Sequence, residues 1–483
     1  MNIPRFPALV LAVLPATLAA QPALTIYNQN FAVVRDRVPL DLKAGANAIS
    51  FDGVTAQVEP DSVVLRDPAG KVPLRILEQS YRADTISQGL LLQLNEGKTI
   101  TFLVRDKDAK EFPVQGKIIR SGYTPGGGQE APIIEVDGKL RFSLPGEPVF
   151  PALADDSILK PTLSWQLGAD APAKLDAELS YVTGGMSWLA SYNLVAPEQG
   201  DTMDITGWVT LENKSGTQFD HAAVKLMAGN VNKIQPQDRS GGMRFKEAMV
   251  LSDVAVALPV TEKAFDEFHL YSLPRALTLR DRETKQVEFI RATGVKTQTL
   301  YIYDGLAVNN YRGWDPNSIR NNPDYGTQAN KKVWVMREFR NTKENGLGLP
   351  LPAGRTRFYR QDDADHRLEF TGENTIEHTP AGELVRLYTG DAFDLVGERK
   401  RTNFQLDERN SQATEKFELK VRNRKKDPVE IRVVEHLYRW VNWDIPDKSD
   451  EFTKTDAQTI EFRVKLAPDE EKVITYTAHY DWR

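Results

Sequence analysis

The chain has no cysteine among its 483 residues. Disulfides, thiolate metal sites and a cysteine nucleophile are therefore closed to it, and so is a lipid-modified N-terminal cysteine. Histidine is scarce: His221, His269, His366, His378, His436 and His479 are scattered, with no HxH or HxxxH pair, so no zinc site is expected. No basic stripe is present. Lys and Arg number 61 against 67 Asp and Glu, both signs are interspersed, and the net charge is −6, which argues against nucleic acid as a partner. Beyond the first twenty residues no run approaches the ~18 apolar residues of a membrane-spanning helix. GxSxG elbows, P-loops and strand-linked GxGxxG turns are missing too. Helical periodicity is rare, and its best stretch is Phe245 to Val256.

The N-terminus carries what those absences leave room for. Met1 to Arg5 is a short, singly charged n-region, Phe6 to Leu18 is an apolar segment broken by Pro7 and Pro15, and Ala19 and Ala20 are small. This order predicts a secretory signal over residues 1–20, cleaved after Ala19 or Ala20. Removing Arg5 with it would leave a net charge of −6 − 1 = −7. Export to a bacterial periplasm, or secretion, is the expected destination.

The dominant period is two. Val72-Pro-Leu74-Arg-Ile76, Phe417-Glu-Leu419-Lys-Val421 and Val429-Glu-Ile431-Arg-Val433 alternate apolar with polar, the pattern of half-buried strands. Turn residues punctuate them at Asp67-Pro-Ala-Gly70, Asn213-Lys-Ser-Gly216 and Asn423 to Pro428. A mainly β, multidomain chain follows, with immunoglobulin-like β-sandwiches and a small β-barrel-like unit. The expected segments are an N-terminal β domain at 21–110, the small unit at 111–158 with a tip at Pro125 to Gly128, and a first sandwich at 159–305. That sandwich is interrupted by a linker at 230–267. A long polar loop at 306–332 precedes a second sandwich at 333–483. Such a loop in a compact domain is usually functional or disordered.

Three strands end on an apolar residue, one residue, then Asn: Leu211-Glu-Asn213, Phe339-Arg-Asn341 and Val421-Arg-Asn423. Asn is a common turn residue, but the echo also predicts a repeated sandwich.

Several segments, in order, carry a resemblance. They include Leu24 to Arg35, Pro60 to Leu65, Leu179 to Val195 with Ile205 to Gly216, Leu349 to Tyr359, His378 to Gly382, Gly390 to Arg399 and Glu435 to Trp440. Together they resemble bacterial exported proteins of the domain of unknown function 4139 family. Relatives described as mucoidy-inhibitor-like carry a long coiled coil between their halves, and this chain has no heptad run. The resemblance implies no reaction and no catalytic residues. Within its most distinctive block, Gly184-Gly185 is expected to break two strands, and Trp188 and Trp208 are expected as core anchors.

Chemistry-bearing residues cluster in the C-terminal half. His378, Asp391 and Asp394, with Glu398 and Arg399, form one polar group, in which Asp394 and Arg399 are expected to pair. On a regular strand His436, Tyr438 and Trp440 would share one face, with Glu435 and Arg439 on the other. Such an aromatic face suits a glycan or peptide ligand, and equally suits covering a domain core. Trp314, in the polar loop, is a further contact candidate. Asp362-Asp-Ala-Asp-His366 lacks the Glu and Gly of a calcium loop and reads as a solvated hairpin tip. The leading expectation is an exported envelope protein that binds or scaffolds, without a cofactor. Its expected partner is an envelope protein or glycan, its contacts Trp314, His436, Tyr438 and Trp440. The alternative is an envelope hydrolase using His378, Asp391, Asp394 and His436.

Overall fold

Alternation translates directly into strands with one buried edge: Phe417, Leu419 and Val421 are all buried, as are Ile431 and Val433. The computed structural model describes residues 21–105, 110–124, 130–153, 157–229, 231–233, 260–409 and 411–482. The predicted signal at 1–20, the tip at 125–128 and the helical stretch at 245–256 lie outside them. Strand makes up 60% of the molecule and helix 5%, so the chain is mainly β. The strands form separate sheets, and none closes into a barrel.

The chain divides into two compact units. One comprises the described residues of Met1–Trp188, Leu211–Met227 and Leu270–Lys285; the other comprises those of Leu189–Thr210, Ala228–His269 and Gln286–Arg483.

In the first unit Phe219–Ala228, Ala23–Tyr27, Phe31–Leu42, Ala173–Gly184 and Val64–Arg66 lie side by side in one sheet. Ala23–Tyr27 runs parallel to Phe219–Ala228, with Leu24 opposite Val224. Gly45–Asp52, Thr162–Ala169 and Arg75–Arg82 form a three-stranded sheet. A small open sheet has the order Glu147–Val149, Thr99–Arg105, Glu111–Arg120, Ile133–Val136, Lys139–Arg141. The barrel-like closure expected for it is absent, because its two outer strands pair with one neighbour each. Its core of Ile100, Phe102, Ile118 and Ile134 is completed by Leu92 from the helix Gln88–Leu94. Ser87 caps that helix by accepting from the Leu90 N–H. Gly185 does separate two strands. Its φ of +77° is open to glycine, and a Cβ there would stand 2.6 Å from the Lys214 carbonyl oxygen. Trp188 is buried and its Nε1 donates to the Met227 carbonyl at 3.1 Å. Trp208 is only half-buried.

Two further sheets lie mainly in the second unit. One runs Glu283–Lys296, Thr202–Asn213, Met186–Ala196, Gly354–Gln361, Leu368–Ile376. The other has nine strands, in the order Trp443–Lys448, Glu471–Asp481, Gln412–Asn423, Leu384–Asp407, Lys332–Arg340, Gln298–Asp304, Val429–His436, Thr459–Leu466, Phe452–Lys454. It encloses a core that includes Tyr303, Phe417, Ile431, Phe462 and Tyr476. Within it Gln298–Asp304 and Val429–His436 are parallel, with Tyr303 opposite Val433. Parallel neighbours end at the same end, so the connections 305–331 and 437–442 leave the sandwich together.

The three Asn strand ends are one device used three times. Asn213, Asn341 and Asn423 are 1%, 0% and 0% exposed. Asn213 Nδ2 faces the carbonyls of Thr217 (2.9 Å), Leu279 (3.3 Å) and Arg280 (3.1 Å). Asn423 Nδ2 faces those of Asp427 (2.9 Å), Leu466 (3.5 Å) and Ala467 (3.0 Å). Asn341 Nδ2 faces Leu349 (2.8 Å), Thr379 (3.4 Å) and Pro380 (3.0 Å). Each Oδ1 accepts a backbone N–H from the following turn, at Ser215, Gly348 and Lys425. The facing turns match as well. Arg282, Gly382 and Asp469 are left-handed, at φ of 58°, 87° and 58°, and each precedes a glutamate: Glu283, Glu383 and Glu470. Glu283 and Glu470 both accept from the N–H three residues earlier, at 2.8 and 2.6 Å. Buried carbonyls at a turn must find donors, and here one amide serves two chain segments at once.

Candidate functional site

The end of the second unit where its parallel strands stop is where most of the candidate residues gather. Val429–His436 terminates at His436, so Tyr438 and Trp440 sit in a turn and do not continue a strand face. His436 and Tyr438 still meet, stacked with ring centroids 4.7 Å apart. His436 Nε2 bonds Asp304 Oδ2 at 2.9 Å, tying together the ends of the two parallel strands, and its Nδ1 contacts Thr459 Oγ1 at 3.3 Å. Asp304 and Thr459 carried no sequence signal, because their roles come from register across the sheet.

The 306–332 loop is ordered. Tyr311, Tyr325 and Leu306 form a small buried cluster, with Trp314, Ile319 and Tyr438 packed against it. Trp314 is half-buried and stands edge-on to Tyr311, at a centroid distance of 5.4 Å. The loop includes a one-turn helix, Pro316–Asn321, capped by Asp315. Trp440 is also half-buried, and the Arg320 guanidinium lies over its ring, 4.9 Å from the centroid.

What orders the loop is buried charge. Arg439, 1% exposed, donates through Nη1 to the carbonyls of Ile319 (2.7 Å), Arg320 (3.0 Å) and Asn322 (3.3 Å), and through Nη2 to Tyr325 (3.1 Å). Its counter-charge is Glu415 at 2.8 Å, which Arg401 also holds at 3.0 Å. Arg399 donates to the Gly326 carbonyl and pairs with Glu435, 0% exposed, at 2.8 and 3.0 Å. Tyr476 donates its hydroxyl to the same carboxylate. Burial, the largest single effect, would lower the Arg399 pKa, and the Glu435 charge and hydrogen bond together with Tyr476 and Glu415 more than reverse it, so Arg399 stays charged. Burial first, and the Glu435 charge second, push the Tyr476 hydroxyl well above its ordinary value.

The expected Asp394–Arg399 pair does not form. Asp394 is exposed, while Arg399 points into the core, where Glu435 is its partner. Two strands lie between Leu384–Asp407 and Val429–His436 in the sheet, so burial of both groups in one core sets that choice, and proximity in sequence does not.

The other candidates keep to separate partners. His378 lies at the surface and accepts the Ala353 N–H through Nδ1 at 3.2 Å. Partial loss of hydration lowers its pKa, Glu377 opposes this, and His269 adds to it. Asp391 bonds Lys332 at 2.7 Å and accepts from the Tyr388 hydroxyl at 2.8 Å; Lys332 first, then Tyr388, hold its carboxyl below the usual range against a smaller desolvation effect. The Asp362 to His366 segment is a hairpin tip, closed by the His366 N–H on the Asp362 carbonyl at 2.9 Å. Among the described residues no group of His, Asp and Glu is suited to a metal ion, and no helix is long and apolar enough to cross a membrane.

No curated protein and no solved structure matches the chain. A family model described as domain of unknown function (DUF4139) does, over residues 177–482. That span takes in the Asn213, Asn341 and Asn423 corners, the paired Asp304 and His436, and the clamped loop, so the chain belongs to the DUF4139 family.

Proposed function

We propose that this is an exported cell-envelope protein that binds its partner through the clamped 306–332 loop, with an envelope glycan as the preferred ligand. One observation carries the reading: two buried guanidiniums fix the loop by five backbone carbonyls and present Trp314, Tyr438 and Trp440 half-exposed at one end of the sandwich. A pre-ordered aromatic surface loses little side-chain freedom on binding. Tyr and Trp faces with polar edges suit sugar rings, whose C–H faces stack while their hydroxyls bond outward. The apolar, Pro-broken segment ending at Ala19-Ala20 supports export. The test is retention on immobilised envelope glycans, with Trp314→Ala and Trp440→Ala as variants. Retention lost in both, with unfolding midpoints near that of the parent, supports the surface; full retention in both removes it.

Envelope hydrolysis has one specific support, the Asp304–His436–Thr459 relay, which resembles an acid–imidazole–hydroxyl series. Thr459 is only 7% exposed, so its surroundings would have to rearrange for it to meet a substrate. Turnover of an envelope glycan or peptide that Asp304→Asn abolishes would establish this reading in place of simple binding.

A further inference from the structure

A separate hollow lies at the tip of the hairpin made by Leu384–Asp407 and Gln412–Asn423. Its volume is about 740 Å³, within the range of ligand sites. Its lining includes Gln405, Glu408, Arg409, Gln412, Thr414 and His479. We propose that it binds a polyhydroxylated, charge-balanced ligand, a short neutral oligosaccharide, independently of the clamped loop.

The hollow presents hydrogen-bonding capacity left unused among the described residues. His479 lies on the neighbouring strand Glu471–Asp481, opposite Thr414. Thr414 Oγ1 contacts its Nδ1 at 3.1 Å, which sets the ring and leaves Nε2 without a partner among the described residues. Gln412 Nε2 reaches Asp481 Oδ2 at 3.3 Å, which orients that amide and leaves its carbonyl unused. The side chains of Gln405, Glu408 and Arg409 have no partner among the described residues. One guanidinium, the Glu408 carboxylate, two amides and an imidazole therefore converge on one concavity.

The mixture selects a ligand class. A phosphate would be repelled by Glu408 and by the adjacent Asp407, and an ammonium, which only donates, would leave the Arg409 donors unused. Among the described residues a lipid chain would find only Leu406 and Ala413 as apolar wall. Vicinal hydroxyls both donate and accept. They can bridge a carboxylate or a guanidinium in pairs, so they match a wall that offers both donors and acceptors. An open polar site trades water for ligand at little gain, so affinity near the millimolar range is expected.

The test is a titration of the full-length mature protein with chitotriose and with maltotriose, read on the ring resonances of His479 by NMR. A saturable shift with at least one of them is expected, weakened about tenfold by Arg409→Ala and by Glu408→Gln, both at the exposed tip. Trp314→Ala should leave the shift unchanged, which separates this site from the loop surface. His479 unmoved by either sugar at 20-fold excess over the millimolar expectation, or a shift matched by inorganic phosphate, overturns the proposal. So does a shift that both tip variants leave intact.

Discussion

The Asn423 corner and the Arg439 clamp both satisfy backbone carbonyls inside the second unit, by opposite means. Asn423 is neutral and faces three carbonyls with an amide that also accepts from its own turn. Arg439 faces four carbonyls with a full charge, and needs Glu415 buried beside it. The neutral device recurs at Asn213 and Asn341, whereas the charged one is confined to the polar loop. A neutral amide can be copied wherever two turns meet, since it requires no partner of opposite sign. A buried guanidinium must bring its carboxylate with it, and the loss of either leaves the other stranded in the core.

The sharpest way to break this comparison is Arg439→Met. It takes the guanidinium from four loop carbonyls, of which, among the described residues, only Asn322 and Tyr325 keep another donor, and leaves Glu415 with Arg401 alone, so unfolding free energy should fall by about 3–5 kcal/mol in denaturant titration. The double variant Arg439→Met with Glu415→Met should be clearly less damaged than the single one. Equal or greater damage in the double variant would mean that the charge itself is not what matters at this end.

Asn423→Ala should cost less, about 1–3 kcal/mol, because only uncharged groups are left unpaired. Asn341→Ala should behave alike. If either proves harmless, water is replacing the amide and the corner is not the module's fastening.

Tyr476 gives the comparison a pH axis. Its folded pKa is raised, foremost by burial and then by Glu435, above the unfolded value of about 10. The stability it contributes is therefore complete below about pH 10 and is lost as pH rises beyond it, since the unfolded tyrosine ionises first. Thermal melts of Tyr476→Phe should fall less steeply than the parent between about pH 10 and 11. Parallel curves would assign the alkaline loss elsewhere, with Tyr480 and Tyr303 as candidates, both raised chiefly by burial.

The smallest effect is expected at the surface. Lys332→Met removes the Asp391 pair, which is solvent-screened, and should move the midpoint by no more than about 0.5 kcal/mol.

These contrasts explain what could be read from sequence. The mainly β architecture was legible because alternation such as Phe417-Glu-Leu419-Lys-Val421 states which side is buried. The Asn corners were legible as a spacing, Leu211-Glu-Asn213 and its two echoes. Their carbonyl partners in the facing turns, 38 to 67 residues away, were not. At the candidate site, parity set Glu435 and Arg439 apart from His436 and Tyr438. It could not reveal that the first pair faces the core, nor that the strand stops at His436. The loop looked like a functional or disordered stretch because its ordering groups, Arg399, Arg401 and Arg439, lie 73 to 120 residues downstream.

The corner has a practical consequence for anyone handling this protein. The Asn side chain reaches the facing turn across 66, 38 and 43 residues in the three copies, and faces two consecutive carbonyls there each time. The joint therefore tolerates wide variation in the chain it encloses, as the weak dependence of closure entropy on length allows. The shortest copy ends in the exposed tip Asp362 to Arg367. That tip is the natural place to graft an epitope or a fluorescent domain without disturbing the seam that holds the sheets in register.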